Sequence, residues 1–215
     1  MPHSFVDIQG IPGVAPAKTS QEVDLNQSRA RLWGEAMGEG KGTSGAFANP
    51  SANIAAMHID PGMKVADFGS GSGAYVLATA RVVGDSGRVY AIDIQKDLLT
   101  RIKNNASREG HGNVDIVWGD FEKVGGSALK DESIDFVILS NVLFQLEHQK
   151  DALTEAARIL KPTGRVGVID WSDSFGGMRP IASHVGTKEK ALKLAEETGF
   201  ILIREFPAGA HHYGL

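Results

Sequence analysis

The stretch Val65-Ala66-Asp67-Phe68-Gly69-Ser70-Gly71-Ser72-Gly73-Ala74 constrains this chain more than any other. Val65, Ala66 and Phe68 around one carboxylate read as a buried strand. Three glycines at alternate positions end that strand in a tight turn. The apolar run from Ala74 to Val83 then reads as a helix packed against a sheet. A strand passing through a glycine turn into a helix presents backbone N–H groups at the helix start, an arrangement suited to a nucleotide-like ligand.

The rest of the chain supports that reading. The spacing predicts a short helix over 51–58, the first strand over 63–68 and a second over 88–94. An amphipathic helix follows over 97–109 through Leu98, Leu99, Ile102 and Ala106, then a third strand over 113–118. Residues 133–140 form a near-continuous apolar run, the mark of a strand buried on both faces. A helix over 148–160 stops at Pro162-Thr163-Gly164. A fifth strand over 165–170, a helix over 187–198, a sixth strand over 200–206 and a short seventh within 209–215 complete the pattern. Strands alternating with helices predict an α/β fold, a doubly wound and mostly parallel sheet. Right-handed crossovers place the strand C-terminal ends on one edge, where such folds hold ligands. Gly69–Gly73, Asp93, Gly119-Asp120, Asn141 and Asp170-Trp171 should therefore converge.

The first 49 residues differ. Gly10-Ile11-Pro12-Gly13 and Pro16 break regular structure. A weak apolar stripe through Val23, Leu25, Leu32, Trp33 and Met37 predicts a helix over 20–37, and four glycines lie between Gly38 and Gly45. Two domains in order are expected: an arm over 1–49, either a plain tail or a lid carrying Trp33 or Phe47, and a folded domain over 50–215.

The glycine turn alone fits two cofactors. Gly69-x-Gly71-x-x-Ala74, with Asp93 about twenty residues on, satisfies the dinucleotide fingerprint. Asp67 two residues before the first glycine, and Gly73 making G-x-G-x-G, fit a second class. Val65–Gly73 resembles motif I of the class I S-adenosylmethionine-dependent methyltransferases. Val89-Tyr90-Ala91-Ile92-Asp93-Ile94 resembles their second motif, Trp118-Gly119-Asp120-Phe121 the third, and Ile134–Leu143 the fourth. Leu160-Lys161-Pro162-Thr163-Gly164-Arg165-Val166 resembles the turn before their fifth strand. The resemblance covers about residues 49–215 and is nearest the type 11 or UbiE-like group.

The resemblance implies a Rossmann-like sheet of order 3-2-1-4-5-7-6 with helices on both faces, and S-adenosyl-L-methionine as cofactor. It implies that Gly69, Ser70, Gly71 and Gly73 cradle the methionine and ribose parts, with Asp67 toward the ammonium end. Asp93 would accept from the ribose hydroxyls and Asp120 from the adenine amine, Ile94, Gly119 and Phe121 would border the ring, and Asn141 would line the methionine side. Asp135 has no expected role beyond ending a turn or meeting the Asp67 loop.

Methyl transfer from a sulfonium needs positioning above all. If the acceptor must lose a proton, a base is required. His184 in the loop after the fifth strand, His211 and His212 are the candidates, while His148 is expected to face solvent. Adjacent residues on a strand point to opposite faces, so at most one of His211 and His212 can face the site. Trp171, Phe144, Phe175 and Met178 are candidates for an apolar acceptor pocket.

Composition narrows the acceptor. The 215 residues carry a net charge of −4 and no cysteine. Charge disfavours nucleic acid, and the lack of thiols disfavours arsenite methylation, which resembling enzymes perform with cysteines. No stretch approaches a membrane span and no secretory signal is present, so a cytoplasmic monomer or homodimer acting on a small molecule is expected. No metal site is expected. The alternatives are an NAD(P)-dependent oxidoreductase and a non-catalytic adenosylmethionine-binding module.

Overall fold

The computed structural model describes residues 48–172 and 187–215. The readings made for the N-terminal arm, and for Phe175, Met178 and His184, lie outside these residues. Within them the chain runs α1 (Pro50–Met57), β1 (Lys64–Phe68), α2 (Ala74–Val83), β2 (Arg88–Asp93), α3 (Lys96–Arg108), β3 (Val114–Trp118) and β4 (Ile134–Ser140). A 3-10 turn (Leu143–Gln145), α4 (Gln149–Ile159), β5 (Leu160–Trp171), α5 (Lys188–Glu197), β6 (Phe206–Gly209) and β7 (His212–Gly214) complete it.

The seven strands form one sheet in the expected order β3-β2-β1-β4-β5-β7-β6. β1 to β5 pair in parallel, and β7 lies antiparallel between β5 and β6. Each face carries its own core. Val65, Ala91, Phe136, Ile138 and Ile169 meet Ile54, Val76 and Ile102 of α1 to α3. Ala66, Phe68, Ile92, Val137 and Leu139 meet Leu153, Ala156 and Ile159 of α4. This two-sided burial explains the unbroken apolar runs of β1 and β4. Local chemistry sets the helix ends: the Asn49 side chain accepts from Ala52 N at 3.2 Å with Pro50 just inside α1, and Thr187 accepts from Lys190 N to cap α5. Among the described residues no helix is long and apolar enough to cross a membrane.

Three expectations need correction. The fifth strand begins at Leu160 rather than 165. Ile134 pairs with Leu160 and Phe136 with Arg165, so the intervening Lys161–Gly164 bulges out. Pro162 has no N–H for the ladder, which favours a bulge there over a continuous pairing. The sixth strand is Phe206–Gly209, not 200–206. The run Ile201-Leu202-Ile203 looked like a buried strand, yet these side chains are 85%, 50% and 73% exposed. Arg204 explains the displacement: it bonds the Ala56 carbonyl and His58 Nε2, tying this segment to the end of α1 instead of to the sheet. Asp135 does not meet the Asp67 loop. It sits at the opposite end of the sheet, accepting from Lys64 N at 2.9 Å and Lys161 Nζ at 2.6 Å.

A buried ion pair fixes the long connection between β3 and β4. The Glu155 carboxylate on α4 is fully buried. It accepts from Gly125 N at 2.6 Å, Ser127 N at 3.0 Å, the Ser127 hydroxyl, and Arg158 at 2.8 and 2.7 Å. Arg158 reaches on to the Leu129 carbonyl at 2.9 Å and to Asp131. Burial pushes the Glu155 carboxyl upward, but the Arg158, Ser127 and Gly125 donors outweigh it and hold it below its ordinary range. Its stabilising effect is therefore present above the usual glutamate pKa and is lost as pH falls through the lower folded value. Glu155→Ala strands Arg158 and the loop N–H groups. Urea unfolding at neutral pH should show a loss of about 3–5 kcal/mol, and that difference should shrink in acid.

Candidate functional site

The strand ends converge as the topology requires. After β1 the backbone crosses toward β2: Gly69 N and Ser70 N both donate to the Ile92 carbonyl, at 2.9 and 3.1 Å. The Asp93 carboxylate locks the turn. Its Oδ2 accepts from Gly71 N at 3.0 Å and its Oδ1 from Gln95 N at 2.9 Å. Each oxygen keeps further lone-pair capacity, as a diol-binding carboxylate needs.

The glycines divide by purpose. All three have positive φ. A Cβ on Gly69 would lie 2.6 Å from Val142 Cγ2, and one on Gly73 2.7 Å from Ile102 Cγ1. Those two are glycine because the protein's own side chains press on them. At Gly71 a Cβ would meet only the Gly69 carbonyl, at 3.8 Å. The open cradle is thus centred on Gly71. Ser70 turns inward, its hydroxyl donating to the Asp67 carbonyl at 2.8 Å, so its backbone rather than its side chain faces the turn.

Beside this cradle stand two buried carboxyls. Asp67 and Asp93 are 2% and 6% exposed. Burial, then repulsion from Asp93, pushes the Asp67 carboxyl up to about 7. Burial also raises Asp93, against the pull of the Gln95 and Gly71 N–H groups. A cationic group placed between glycine turn and carboxyls would relieve both.

The β3 side forms a second wall. Gly119 permits a close approach, since a Cβ there would lie 2.5 Å from the Gly126 carbonyl. Asp120 does not cap a helix; it accepts from Glu122 N at 3.2 Å and pairs with Lys123 at 3.2 Å within a turn. Phe121 is 5% exposed and stacks on Phe68 with centroids 4.8 Å apart, so one ring face is already used by the core. Ile94 is half-buried, and its carbonyl accepts from Trp118 Nε1 at 3.0 Å. Trp118 was not expected here as an exposed indole, yet Lys96 Nζ lies 3.7 Å from its ring centre.

On the other side, Asn141 adopts a left-handed backbone, φ 54°, and its Oδ1 is buried without a hydrogen-bond partner among the described residues. Asp170 holds the following 3-10 turn by accepting from Phe144 N at 2.9 Å, and Trp171 N at 2.8 Å. Burial pushes its carboxyl up to about 7 against those two donors. Trp171 and His212 pair across β5 and β7, their rings in contact at 4.2 Å between centres and tilted 39° to each other. His212 is buried on the sheet face while His211 sits in the hairpin turn, its carbonyl accepting from Ser172 N. His148 is exposed at the start of α4. The sequence reading also missed Asn53 and Tyr75, whose side chains bond at 2.8 Å beneath this edge. Their only signal was a polar group on otherwise apolar helix faces. A separate cleft of about 710 Å³ runs along α5, residues 199–204 and the start of β5. It includes neither the glycine turn nor Asp93, Asn141 or Trp171, so the convergent polar groups lie elsewhere.

Residues 59–205 match the family described as a methyltransferase domain. The chain is 31% identical over 123 residues to an arsenite methyltransferase of Halobacterium salinarum, covering 57% of this chain and 30% of that protein. It is 30% identical to the ubiquinone/menaquinone biosynthesis C-methyltransferase UbiE of Laribacter hongkongensis, covering 57% and 49%. The match thus spans half or less of these relatives. Among solved structures it resembles a SAM dependent methyltransferase from Aquifex aeolicus, with a TM-score of 0.72, 22% identity, and coverage of 92% of this chain and 97% of that one. At that identity the likeness concerns the fold.

The raised Asp67 carboxyl makes a stability prediction for the ligand-free protein. The folded state keeps a proton that the unfolded chain releases near 3.8, so Asp67 lowers stability progressively as pH rises from there to about 7, with no further change above. Asp67→Asn removes that burden. Urea midpoints should show the variant more stable than the parent at pH 8, by on the order of 2–4 kcal/mol, with the gap closing in mild acid. Equal gaps at both pH values would contradict the titration.

Proposed function

The chain belongs to the methyltransferase domain family, and from that premise we propose that it transfers a methyl group from S-adenosylmethionine to a small-molecule acceptor. The observation that carries this reading is the Asp93 lock on Gly71: a carboxylate and a cradle open only at its centre, held within one hydrogen bond of each other. The residues present fit the cofactor. Gly69, Ser70, Gly71 and Gly73 form the backbone cradle, and Asp67 offers negative charge for the ammonium end. Asp93 accepts from the ribose diol. Ile94, Gly119, Asp120 and Phe121 border the base, and the unpartnered Asn141 Oδ1 accepts from a donor on the methionine side. The bound cofactor supplies an electrophilic methyl group on a sulfonium.

What the protein adds is orientation. The 3-10 turn held by Asp170 and the tilted Trp171–His212 pair give a floor for the acceptor beyond the β4 and β5 ends. A partly apolar acceptor fits that floor. His212, half of that pair, is our candidate to take a proton from such an acceptor, and at carbon or sulfur nucleophiles already in reactive form no base is needed. Thiolate capture of arsenite has no residue in these 215 positions, which contain no cysteine. The oxidoreductase alternative is disfavoured by the antiparallel β7 between β5 and β6, because dinucleotide folds run 3-2-1-4-5-6.

Titration calorimetry tests the reading. The protein should bind adenosylhomocysteine, and Asp93→Ala should weaken that binding by about 1–3 kcal/mol through loss of charge-assisted hydrogen bonds. Binding of a nicotinamide nucleotide without binding of adenosylhomocysteine would overturn it.

A further inference from the structure

The sheet is open between the first half of β5 and residues 201–205. β7 pairs with β5 from Trp171 back to Ile169, and Val168 N–H and C=O then both bond Leu215, at 2.9 Å. Backbone groups of alternate residues point to the same side of a strand. Val168 and Ser172 N turn toward the terminal hairpin, Ser172 N donating to the His211 carbonyl, while the Ile169 carbonyl turns toward β4 and accepts from Asn141 N. Val166 therefore turns its N–H and C=O away from β4, into the cleft of about 710 Å³ that it lines. Residues 201–204 form the opposite wall. They run without helix or turn toward β6, and none of residues 201–205 makes a backbone–backbone hydrogen bond among the described residues. Only side chains hold this wall, Arg204 on the Ala56 carbonyl and His58, and Glu205 on Lys188.

The registers give the cleft the width of one strand. Ile169 and Phe206 pair with the same residue of β7, Gly214, from its two sides. Carried on past Leu215, these registers set a single position between Val166 and Ile203. A strand in that lane runs antiparallel to β5, as β7 does. Its side chain beside Val166 meets the core of the α4 face, so that side must be apolar. Both of its backbone edges must be free to pair.

The segment Ile201-Leu202-Ile203 has these properties. Its side chains are 85%, 50% and 73% exposed, and its backbone is unpaired. It leads into β6, which is parallel to β5 because each is antiparallel to β7. In a second molecule related by a twofold axis through the sheet, it runs antiparallel both to β5 and to the first molecule's own segment. Reciprocal insertion gives the order β5, the copy's 201–205, the first molecule's 201–205, the copy's β5. Every neighbour in that order is antiparallel, and one symmetry operation fills both clefts.

We propose that two copies of this chain associate in this way, each laying its segment 201–205 in the cleft of the other as an isologous, sheet-continuing interface. It covers three exposed apolar side chains and closes two edges that would otherwise accept any strand. The interface lies at the start of β5, whereas the glycine turn follows the C-terminal end of β1, so the Gly71 cradle stays open.

Sedimentation equilibrium of the full chain across about 1–100 µM should show a concentration-dependent dimer. Ile203→Lys places a charge in the filled cleft, and Leu202→Pro keeps the segment apolar while removing a backbone N–H. Each should keep its fold by circular dichroism and weaken the dimer about tenfold or more. The chain has no cysteine, so mild oxidation of Leu202→Cys or Ile203→Cys should give a disulfide-linked dimer in at least one of the two. Val124→Cys, exposed between β3 and β4, should give none. This cross-link carries the test if the lysine or proline variant fails to fold. A parent that stays monomeric overturns the proposal, whatever other polypeptide strand then enters the cleft. A dimer that persists in folded Ile203→Lys or Leu202→Pro places the contact elsewhere and overturns it too, as does cross-linking through Val124→Cys alone.

Discussion

The Asp93 carboxylate accepts one backbone N–H from the turn after β1 and another from the start of α3, at 3.0 and 2.9 Å. Those two bonds join three consecutive elements at a single side chain. They translate the β1–β2 register, Asp67 beside Ala91 and Phe68 beside Ile92, into a fixed position for Gly71. The turn has little else to hold it at its centre, because Gly71 is where the protein's own side chains stay away. Gly69 and Gly73 anchor the flanks by accepting Val142 and Ile102 against their bare Cα atoms. A cradle whose flanks are packed and whose middle is empty is preorganised for a ligand backbone rather than collapsed upon itself.

The buried carboxyls of this molecule fall into two kinds, and the difference separates scaffold from site. Glu155 is fully buried yet held below its ordinary pKa range, because Arg158 and three loop donors more than compensate its desolvation. Its charge is complete within the protein. Asp67 and Asp170 are equally buried and are pushed up to about 7, since no cation answers them among the described residues. Structural ion pairs close their own electrostatic circuits; groups at ligand sites leave them open. Asp170 turns its two backbone donors to another end, holding the 3-10 turn at the end of β4.

Legibility in the sequence followed the range of the interaction. Strand and helix identities from β1 to α5 were readable because each rests on local periodicity, and the sheet order on the family motifs. The glycine turn and Asp93 were readable because motif spacing carries them. The purpose of each glycine was not: Val142 and Ile102 lie far along the chain, and no local pattern says that they press on Gly69 and Gly73. The sixth strand was misplaced for the same reason. Ile201-Leu202-Ile203 has the composition of a buried strand, while a distant contact from Arg204 to α1 decides its position. Asn53 and Tyr75 were invisible because a polar atom on an apolar helix face signals nothing until its partner is known.

On the proposed reading, the acceptor side differs from the donor side in how it is built. The donor side is made by a continuous turn and by strands adjacent in the sheet. The acceptor side is made where β5 meets the terminal hairpin, and its floor is a cross-strand pair, Trp171 on His212, joined only through tertiary pairing. The two rings lie 39° from parallel, so the pair presents an edge as well as an apolar face. Changing either residue alters what lies against the floor without disturbing Asp93 or Gly71, which belong to strands on the other side of β4. Under the proposed function, holding a methyl donor and choosing its recipient would therefore be separable in the fold: the first rests on the backbone geometry that Asp93 fixes, and the second on side chains of β5 and the terminal hairpin.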